Sequence, residues 1–443
     1  MQIIQIILAL SILVLIHELG HFAFARLFGI RVDKFYLFFD AGGFRLFSTR
    51  SKWFLKLFPK AAEWETEYGI GWLPLGGYCK ICGMVDESMD TDFMGSEPNP
   101  WEFRSKPAWQ RLLVMVGGVL FNFILGILIY SFILGKWGEG YYKAEGNSIY
   151  VREASLAEEL GFQTGDQILY LDGQTTDNFH MMQIEIARNL VSTATVIRGN
   201  DTIDIHIDQK YIPQILNTPE LFELAVPFTI SGIAEGSPNA QADIREGDKV
   251  TAIDTVQIRY VQDGLGVLTE NAGGQVDVTL KRDSVTFSST MAVSPEGNIG
   301  VMLQNPPVEI REYSFWSAIP AGCRKAYDMT IGQIKDLRLI AKPSTGAYKS
   351  VGSVIAMTEA MPKKWNWALF LNITAMLSII LGVMNLLPIP ALDGGHMVFT
   401  IYEMITGRKP SDKFLYVMQL IGMLLIFGLM FLAFGNDIAR LLR

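Results

Sequence analysis

Long runs of apolar residues alternate with polar stretches along this chain. Four runs are long enough to span or nearly span a lipid bilayer, which takes about 20 apolar residues in a helix. They cover roughly residues 3–28, 112–134, 367–387 and 414–434. Between the second and third runs, apolar and polar residues alternate and Gly-Asp turns recur. This pattern predicts a multi-pass α-helical membrane protein with about four transmembrane helices and a soluble insertion.

Basic residues in the short loops predict the orientation of these helices, because Lys and Arg accumulate on the cytoplasmic side. No Lys or Arg precedes Arg26, whereas eight basic residues lie between positions 26 and 60. The first loop is therefore expected in the cytoplasm, and the soluble insertion and both termini outside it. The first run lacks a basic n-region and a cleavage site, which favours a retained membrane helix over a signal peptide.

Composition agrees with a membrane protein and excludes two other classes. Half of the 443 residues are hydrophobic, and the mean hydropathy is +0.25. The formal net charge of −8 argues against a nucleic-acid partner. Three cysteines are too few for a disulfide framework, and we interpret Cys79 and Cys82 as free thiols.

The polar insertion contains an internal repeat. Residues 155–173 and 237–255 superpose without a gap, and their Gly-Asp turns fall at 165–166 and 247–248. Each copy predicts a short helix, the Gly-Asp turn and a strand; two unrelated pieces that share a common turn are the alternative. The pattern resembles the PDZ domain of bacterial envelope proteases. Such domains bind extended peptides by adding a strand to a sheet edge.

Polar groups inside the first apolar run indicate a metal site. In the sequence HELGH, His17 and His21 are four residues apart and project from the same face of a helix. Neutral imidazoles bind Zn²⁺, and Glu18 is placed to take a proton from a water molecule beside the metal. Histidines that only form hydrogen bonds between helices are the alternative, but ionisable groups within a membrane segment are costly.

A third metal ligand is expected far along the chain. Asp393 follows the third apolar run in the sequence NLLPIPALDGGH, where Pro388, Pro390 and two glycines interrupt a regular helix. Irregular backbone at membrane depth is tolerated only where it is buried or lines a cavity. An ordinary surface loop is the alternative. Together the two motifs predict a His-His-Asp site.

These motifs resemble those of the site-2 protease family, the M50-type intramembrane zinc metalloproteases. Among its members, the RseP type with four membrane helices and two tandem PDZ domains is the most similar. The resemblance covers nearly the whole chain and rests on HELGH, on PLGGY at 74–78, on GGVLFN at 117–122 and on NLLPIPALDGG at 385–395.

The resemblance implies specific roles for residues in these motifs. His17, His21 and Asp393 are expected to bind Zn²⁺, Glu18 to act as general base, and Asn385 to position substrate backbone or stabilise an oxyanion. The residues expected to contact substrate are Gly76, Gly77, Gly118, Asn122 and Pro388.

A glycine- and aromatic-rich segment at residues 67–84 predicts a β-hairpin. In the family, the matching element is a membrane-associated β loop that can pair with substrate. A helical substrate must unwind before its carbonyls can be attacked, and an exposed strand edge supplies replacement hydrogen bonds. A plain cytoplasmic hairpin is the alternative.

The predicted domains follow from these elements. Residues 314–342 suggest either an amphipathic helix at the outer membrane surface or a soluble helix packed on the second PDZ copy. The domains are an N-terminal membrane half at 1–135, PDZ copies at 140–218 and 219–306, a linker with the amphipathic region at 312–362, and a C-terminal membrane half at 363–443.

The resemblance predicts an intramembrane zinc endopeptidase of the cell inner membrane. Its expected partners are the lipid bilayer and membrane-spanning segments of pre-truncated proteins, such as anti-sigma factors and signal-peptide remnants. One alternative is a non-catalytic scaffold or chaperone that binds peptides through its PDZ domains, and another is a metal transporter. Neither explains why HExxH, Asp393 and paired peptide-binding domains occur together.

Overall fold

The computed structural model describes residues 1–84 and 97–442. They form two units, of which unit 1 comprises Met1–Gly138, Glu312–Ala341 and Ala347–Arg443, and unit 2 comprises Glu139–Arg311 and Lys342–Gly346. The predicted polar insertion therefore forms a unit of its own.

Helices and strands are numbered along the described chain. The α-helices are α1 Gln2–Leu27, α2 Lys52–Leu57, α3 Ala108–Trp137, α4 Leu156–Glu159, α5 Met182–Asn189, α6 Ile212–Asn217, α7 Val261–Glu270, α8 Phe315–Ile340, α9 Val354–Ala360, α10 Trp367–Asn385, α11 Asp393–Thr406 and α12 Asp412–Leu441. The strands are β1 Val32–Phe39, β2 Arg45–Ser48, β3 Glu67–Gly71, β4 Leu73–Ile81, β5 Glu139–Tyr141, β6 Ile149–Tyr150, β7 Gln167–Leu171, β8 Thr193–Arg198, β9 Asp201–His206, β10 Glu223–Leu224, β11 Ile230–Ile233, β12 Lys249–Ile253, β13 Val256–Gln257, β14 Gln275–Arg282, β15 Val285–Ala292, β16 Val301–Leu303 and β17 Glu309–Arg311.

Four helices of unit 1 are long and apolar enough to cross a membrane. They are α1, α3, α10 and the Lys413–Leu441 part of α12, and they coincide with the four apolar runs. Most residues of these helices are apolar, and many of their side chains are exposed at the protein surface, as expected for helices surrounded by lipid. These four candidate spans are compatible with the predicted multi-pass α-helical membrane protein.

Helices α1 and α3 are in backbone contact where they cross. A Cβ atom added to Gly20 would collide with the carbonyl group of Gly117, and one added to Gly117 would collide with Gly20 and with the Phe24 ring. Small residues at such crossings let helices approach closely in an apolar environment. The crossing lies next to His21. It therefore determines the distance between α3 and the face of α1 that carries His17 and His21.

A four-stranded sheet follows α1, in the order β2-β3-β1-β4. Strand β1 pairs with β3 in parallel and with β4 antiparallel, so it lies between them. The predicted hairpin at 67–84 is therefore wrong in its pairing, although both of its strands exist. The physical reason is the apolar strand β1, whose Tyr36 ring lies against Gly69 of β3 and leaves no room for a side chain there. Strand β4 is an edge strand of this sheet.

The helical path breaks between α10 and α11, as the prolines predict. Residues 386–392 turn through short contacts, including Ile389 N–H to the Leu387 carbonyl at 2.7 Å, and Ala391 adopts a left-handed φ of 78°. The two glycines of this motif lie in the first turn of α11 instead of in the break. Gly394 is needed there because the Leu387 carbonyl occupies the place of a Cβ atom.

Helix α8 packs along α3 and α10 within unit 1. Gly322 lies so close to Ser131 of α3 that an added Cβ would collide with it. Ala326 is buried in a cluster with Tyr130 and Ala375. The predicted amphipathic segment is thus a helix whose small residues contact the apolar helices.

Unit 2 contains the two copies of the sequence repeat, and each has its own hydrophobic core. The first copy has the antiparallel sheet β7-β8-β9 and the second has β13-β12-β14-β15. Two further two-stranded ladders, β10-β6 and β11-β16, lie in unit 2.

The aspartate of each Gly-Asp turn is buried and forms the same ion pair. Asp166 accepts two hydrogen bonds from Arg198, both 2.8 Å long. Asp248 accepts two from Arg282, also 2.8 Å each. Such bidentate pairs combine charge with a fixed geometry. They join the turn to the end of β8 in the first copy and of β14 in the second.

The helix predicted before the turn forms in only one copy. In the first copy it is α4, whereas residues 238–241 of the second copy form turns. There the buried Asn239 donates to the carbonyls of Ala292 and Ile299 and accepts from the Ala292 N–H. These side-chain bonds to the backbone favour a turn over a helix.

We expect Asp248→Asn to destabilise the second copy. Hydrogen bonds from Arg282 lower the pKa of Asp248, so the carboxylate stabilises the fold above the unfolded pKa of about 3.9 and loses this effect as the pH falls further. The substitution should cost about 1.5–3 kcal/mol at neutral pH. Hydrogen exchange of the β12 amides in the full-length protein should become about 10–100-fold faster, with a weaker dependence on acid pH.

Asp283→Asn is the matched control, because Asp283 is an exposed neighbour of Arg282. It should leave exchange unchanged. Equal exchange rates in Asp248→Asn and wild type would contradict the stabilising role of the pair.

Candidate metal centre

Helix α1 places His17 and His21 one turn apart with their rings facing each other. The ring centroids are 4.8 Å apart and the ring planes are nearly perpendicular, at 85°. Their Nε2 atoms are 3.2 Å apart. The spacing of four residues within a regular helix produces this arrangement, as the HELGH motif predicts.

Asp393 completes the cluster from the start of α11. Its Oδ2 atom lies 3.3 Å from His17 Nε2 and 3.4 Å from His21 Nε2. The ligand atoms of the three residues all lie within 4.8 Å of one another. The break at 386–392 makes this possible, because it turns the chain so that a new helix begins beside α1.

The cluster has the character of a cation site. Asp393 Oδ2 is buried, yet it accepts no hydrogen bond from any described residue. A buried carboxylate oxygen without a partner is costly, and two imidazole nitrogens converge on the same point. A metal ion would satisfy all three atoms, and two nitrogens with one oxygen are a ligand set that suits Zn²⁺. The residues therefore fit a metal ion.

Helix α3 holds the opposite nitrogen of each imidazole ring. The carbonyl of Val114 lies 2.9 Å from His21 Nδ1. The side-chain amide nitrogen of Asn122 lies 3.1 Å from His17 Nδ1. Both rings thus present Nε2 toward Asp393 and Nδ1 toward α3. Groups bonded to the second nitrogen orient a metal-binding histidine.

Gly118 provides the space that the two rings occupy. A Cβ atom built on it would collide with His21 Nε2 and approach His17 Cε1 to 2.7 Å. Gly118 is predicted to contact substrate, whereas in the structure it lies on α3 against the rings of His17 and His21. A side chain at this position is incompatible with the cluster.

An open cavity of about 450 Å³ borders the cluster. His17, Glu18, His21, Asn385 and Asp393 line one part of it. Glu18 is partly buried, and the Asn385 amide nitrogen lies 3.3 Å from His17 Nε2. The general-base and amide candidates therefore face the same space as the metal-binding atoms.

The edge strand β4 lines another part of this cavity through Gly76, Gly77, Tyr78 and Cys79. Gly77 is confined because a Cβ atom there would approach the Tyr36 carbonyl to 2.7 Å and Val14 to 2.8 Å. The structure therefore brings the PLGGY motif next to HELGH. Asn122 and Pro388 are not among the residues that line the cavity.

Burial raises the pKa of two groups on or next to the sheet, Tyr78 and Cys82. Burial, with a hydrogen bond to Asp40, raises the pKa of the Tyr78 hydroxyl above its usual value. Burial and nearby Asp33 raise the pKa of Cys82 to about 12. Neither Cys79 nor Cys82 forms a disulfide bond among the described residues, as predicted. A neutral thiol is a poor nucleophile and metal ligand.

Three residues contribute to the site in ways that the sequence does not reveal. Val114 acts through its backbone carbonyl, which any residue would provide. Tyr78 and Phe39 line the cavity because β1 pairs with β4. The PLGGY motif contains Tyr78, but only the strand pairing reveals where it lies.

Comparison with known proteins matches nearly the whole chain. The profile described as peptidase family M50 matches residues 5–429. A Neisseria meningitidis serogroup A protein named "putative zinc metalloprotease" is 28% identical over 474 residues, which cover 98% of each chain. The regulator of sigma E protease of Haemophilus influenzae is 26% identical, with 98% of each chain covered. The regulator of sigma-E protease RseP of Salmonella typhimurium is also 26% identical, with the same coverage.

Gly118→Ala should abolish metal binding, because the added methyl group would displace both imidazole rings. The expected result is less than a tenth of the wild-type metal content after purification and reloading, measured by elemental analysis. Gly428→Ala is the control, since its Cβ would meet no described atom within 4 Å. Wild-type metal content in Gly118→Ala would show that the rings can bind metal without this space.

Proposed function

The chain belongs to peptidase family M50, and we propose that it is a zinc endopeptidase that cleaves membrane-spanning segments of other proteins. The observation that carries the proposal is the convergence of His17, His21 and Asp393 beside a cavity among apolar helices. Buried ionisable groups in such surroundings require a function or a partner. In a zinc protease that works at membrane depth, the metal ion is the partner and proteolysis is the function.

His17 and His21 would bind the zinc ion through Nε2, and Asp393 through Oδ2. When bound there, zinc lowers the pKa of a water molecule and polarises a peptide carbonyl. The relatives named zinc metalloproteases support this choice of metal. The fit of the residues supports it independently, because the ligand atoms already converge and Asp393 Oδ2 has no other described partner.

Glu18 is the proposed general base. It is next to His17 on α1 and lines the same cavity. Its carboxylate takes a proton from the attacking water and later delivers that proton to the nitrogen of the leaving amine. Asn385 lines the cavity from the end of α10, where its amide N–H can donate to the oxygen that gains negative charge.

Strand β4 is the proposed docking site for the substrate backbone. A substrate helix must lose internal hydrogen bonds before a peptide bond can reach Glu18, and lost bonds in an apolar region are costly. An edge strand provides backbone donors and acceptors in replacement. Gly76 and Gly77 keep this part of the cavity wall free of side chains, which lets another backbone approach.

Unit 2 is proposed to contain two PDZ domains, at 140–218 and 219–306. The repeated ion pairs of Asp166 and Asp248 support two copies of one fold. Their proposed role is to filter substrates outside the cytoplasm by excluding those with bulky ectodomains. Residues 1–135 and 363–443 are the proposed membrane halves, joined through the 312–362 region.

Location and substrates follow from the resemblance and from the relatives. The proposed location is the cell inner membrane, with four spans and with both termini and the PDZ domains in the periplasm. Relatives named regulator of sigma E protease support an anti-sigma factor as one substrate. Signal-peptide remnants are the second proposed class. Both are short membrane segments left by an earlier cut.

The rival proposal is a non-catalytic scaffold, which would need only unit 2 for its function. It gives no role to the cluster of His17, His21 and Asp393 or to Glu18. Metal transport gives no role to unit 2. Proteolysis uses all of these features.

Glu18→Gln should lower cleavage by about 10²–10⁴-fold, the usual contribution of a general base, while zinc remains bound. Zinc content and cleavage of a truncated single-span substrate are measured on the same purified preparation. In cells, short membrane stubs should accumulate only in this variant. The exposed Glu63→Gln is the control and should cleave normally. Cleavage by Glu18→Gln at the wild-type rate would refute the mechanism.

Asn385→Ala should lower kcat by about 10²–10³-fold, as expected when one donor to a developing oxyanion is removed. KM and zinc content should change little, because the residue acts mainly in the transition state. Steady-state kinetics with the same truncated substrate measure both constants. A rise in KM alone would assign Asn385 to substrate binding instead.

A further inference from the structure

Asn122 lies behind the metal centre, on the side away from the cavity. It is fully buried on α3, with 0% of its surface exposed. Its side-chain nitrogen is 3.1 Å from His17 Nδ1. Its backbone carbonyl accepts a hydrogen bond of 2.8 Å from the Ser378 hydroxyl on α10. The residue is therefore held between α10 and the back of the His17 ring.

The side-chain oxygen of Asn122 is an unsatisfied buried acceptor. Oδ1 has no hydrogen-bond partner among the described residues. A buried polar atom without a partner costs about 1–3 kcal/mol, so its neighbours should include a donor. The group beside this amide that can act as donor or acceptor, according to its tautomer, is His17 Nδ1.

The chemistry of a histidine ligand supplies that donor. A neutral imidazole that binds metal through Nε2 carries its proton on Nδ1 and must donate it. His21 donates to the Val114 carbonyl. For His17 the corresponding acceptor is Asn122 Oδ1. A half-turn of the side-chain amide group exchanges Oδ1 and Nδ2, and so places Oδ1 next to His17 Nδ1. The same half-turn satisfies the orphaned oxygen.

We propose that Asn122 is the positioning residue for His17, its Oδ1 accepting the Nδ1 proton so that Nε2 points at the metal. The inference rests on the proposed zinc site and adds a residue behind it. Asn122 does not contact substrate in this role, in agreement with its position outside the cavity lining. Asn385 cannot replace it, because its amide faces Nε2 on the cavity side.

The test measures zinc affinity rather than cleavage. Full-length protein in detergent is stripped of metal and titrated with Zn²⁺ against a chromophoric chelator. Asn122→Leu keeps the approximate size but offers no acceptor, and Asn122→Ala removes the amide without adding bulk. Both should bind zinc about 10–100-fold more weakly than wild type, the usual effect of losing such a partner. Asn122→Asp retains an acceptor and should bind within a fewfold of wild type or more tightly.

The order of the variants separates positioning from a merely structural role. If Asn122 only packed the helices, the buried charge of Asp would be the most damaging change, and Asn122→Asp would have the lowest affinity. Thr374→Val is the matched control, because it removes a buried hydroxyl of α10 that bonds only to its own helix. It should leave zinc affinity unchanged. Thermal unfolding of the metal-free proteins identifies any variant that fails to fold.

Two failures are distinguishable. Wild-type protein that binds no zinc, or whose affinity is unchanged in His21→Ala, would overturn the proposed function. Wild-type protein that binds zinc, with Asn122→Leu and Asn122→Ala binding it as tightly as wild type does, would overturn only the role of Asn122.

Discussion

The rest of unit 1 depends on keeping three polar ligands buried among apolar helices. The side chains of His17, His21 and Asp393 are only 8–14% exposed, and their surroundings offer few hydrogen-bonding groups. Each imidazole therefore uses both of its nitrogens, one toward α3 and one toward the cluster. Because each polar atom of the cluster needs a partner, many neighbouring residues must have a particular size or orientation.

Glycines provide the space that this pairing requires. Gly20 and Gly117 let α1 and α3 touch through their backbones, and Gly118 leaves room for the rings. On the other side of the cluster, Gly422 of α12 leaves room for the carbonyl of Pro390, which supports the break before Asp393. The distance from each ligand to the others is thus determined by backbone contacts, which vary less than side-chain contacts do.

Local sequence patterns were sufficient to predict that His17, His21 and Asp393 come together, whereas strand pairing between distant segments was not predictable. HELGH specifies its own geometry because both histidines lie on one helix. Asp393 was predictable because Pro388 and Pro390 interrupt an apolar run. The position of β1 between β3 and β4 was not, since it depends on pairing between distant segments. The turn at Asn239 and the carbonyl of Val114 were also hidden, because each depends on a hydrogen bond between a side chain and a backbone carbonyl far away in the sequence.

The separation of the ligands along the chain has a consequence for biosynthesis. His17 and His21 are made first, whereas Asp393 follows several hundred residues later. Until α10 and the break after it have been synthesised, the two histidines have no third residue beside them. Translation of the long intervening stretch therefore proceeds without a complete cluster. A newly made molecule gains all three side chains of the candidate site only once α11 has begun.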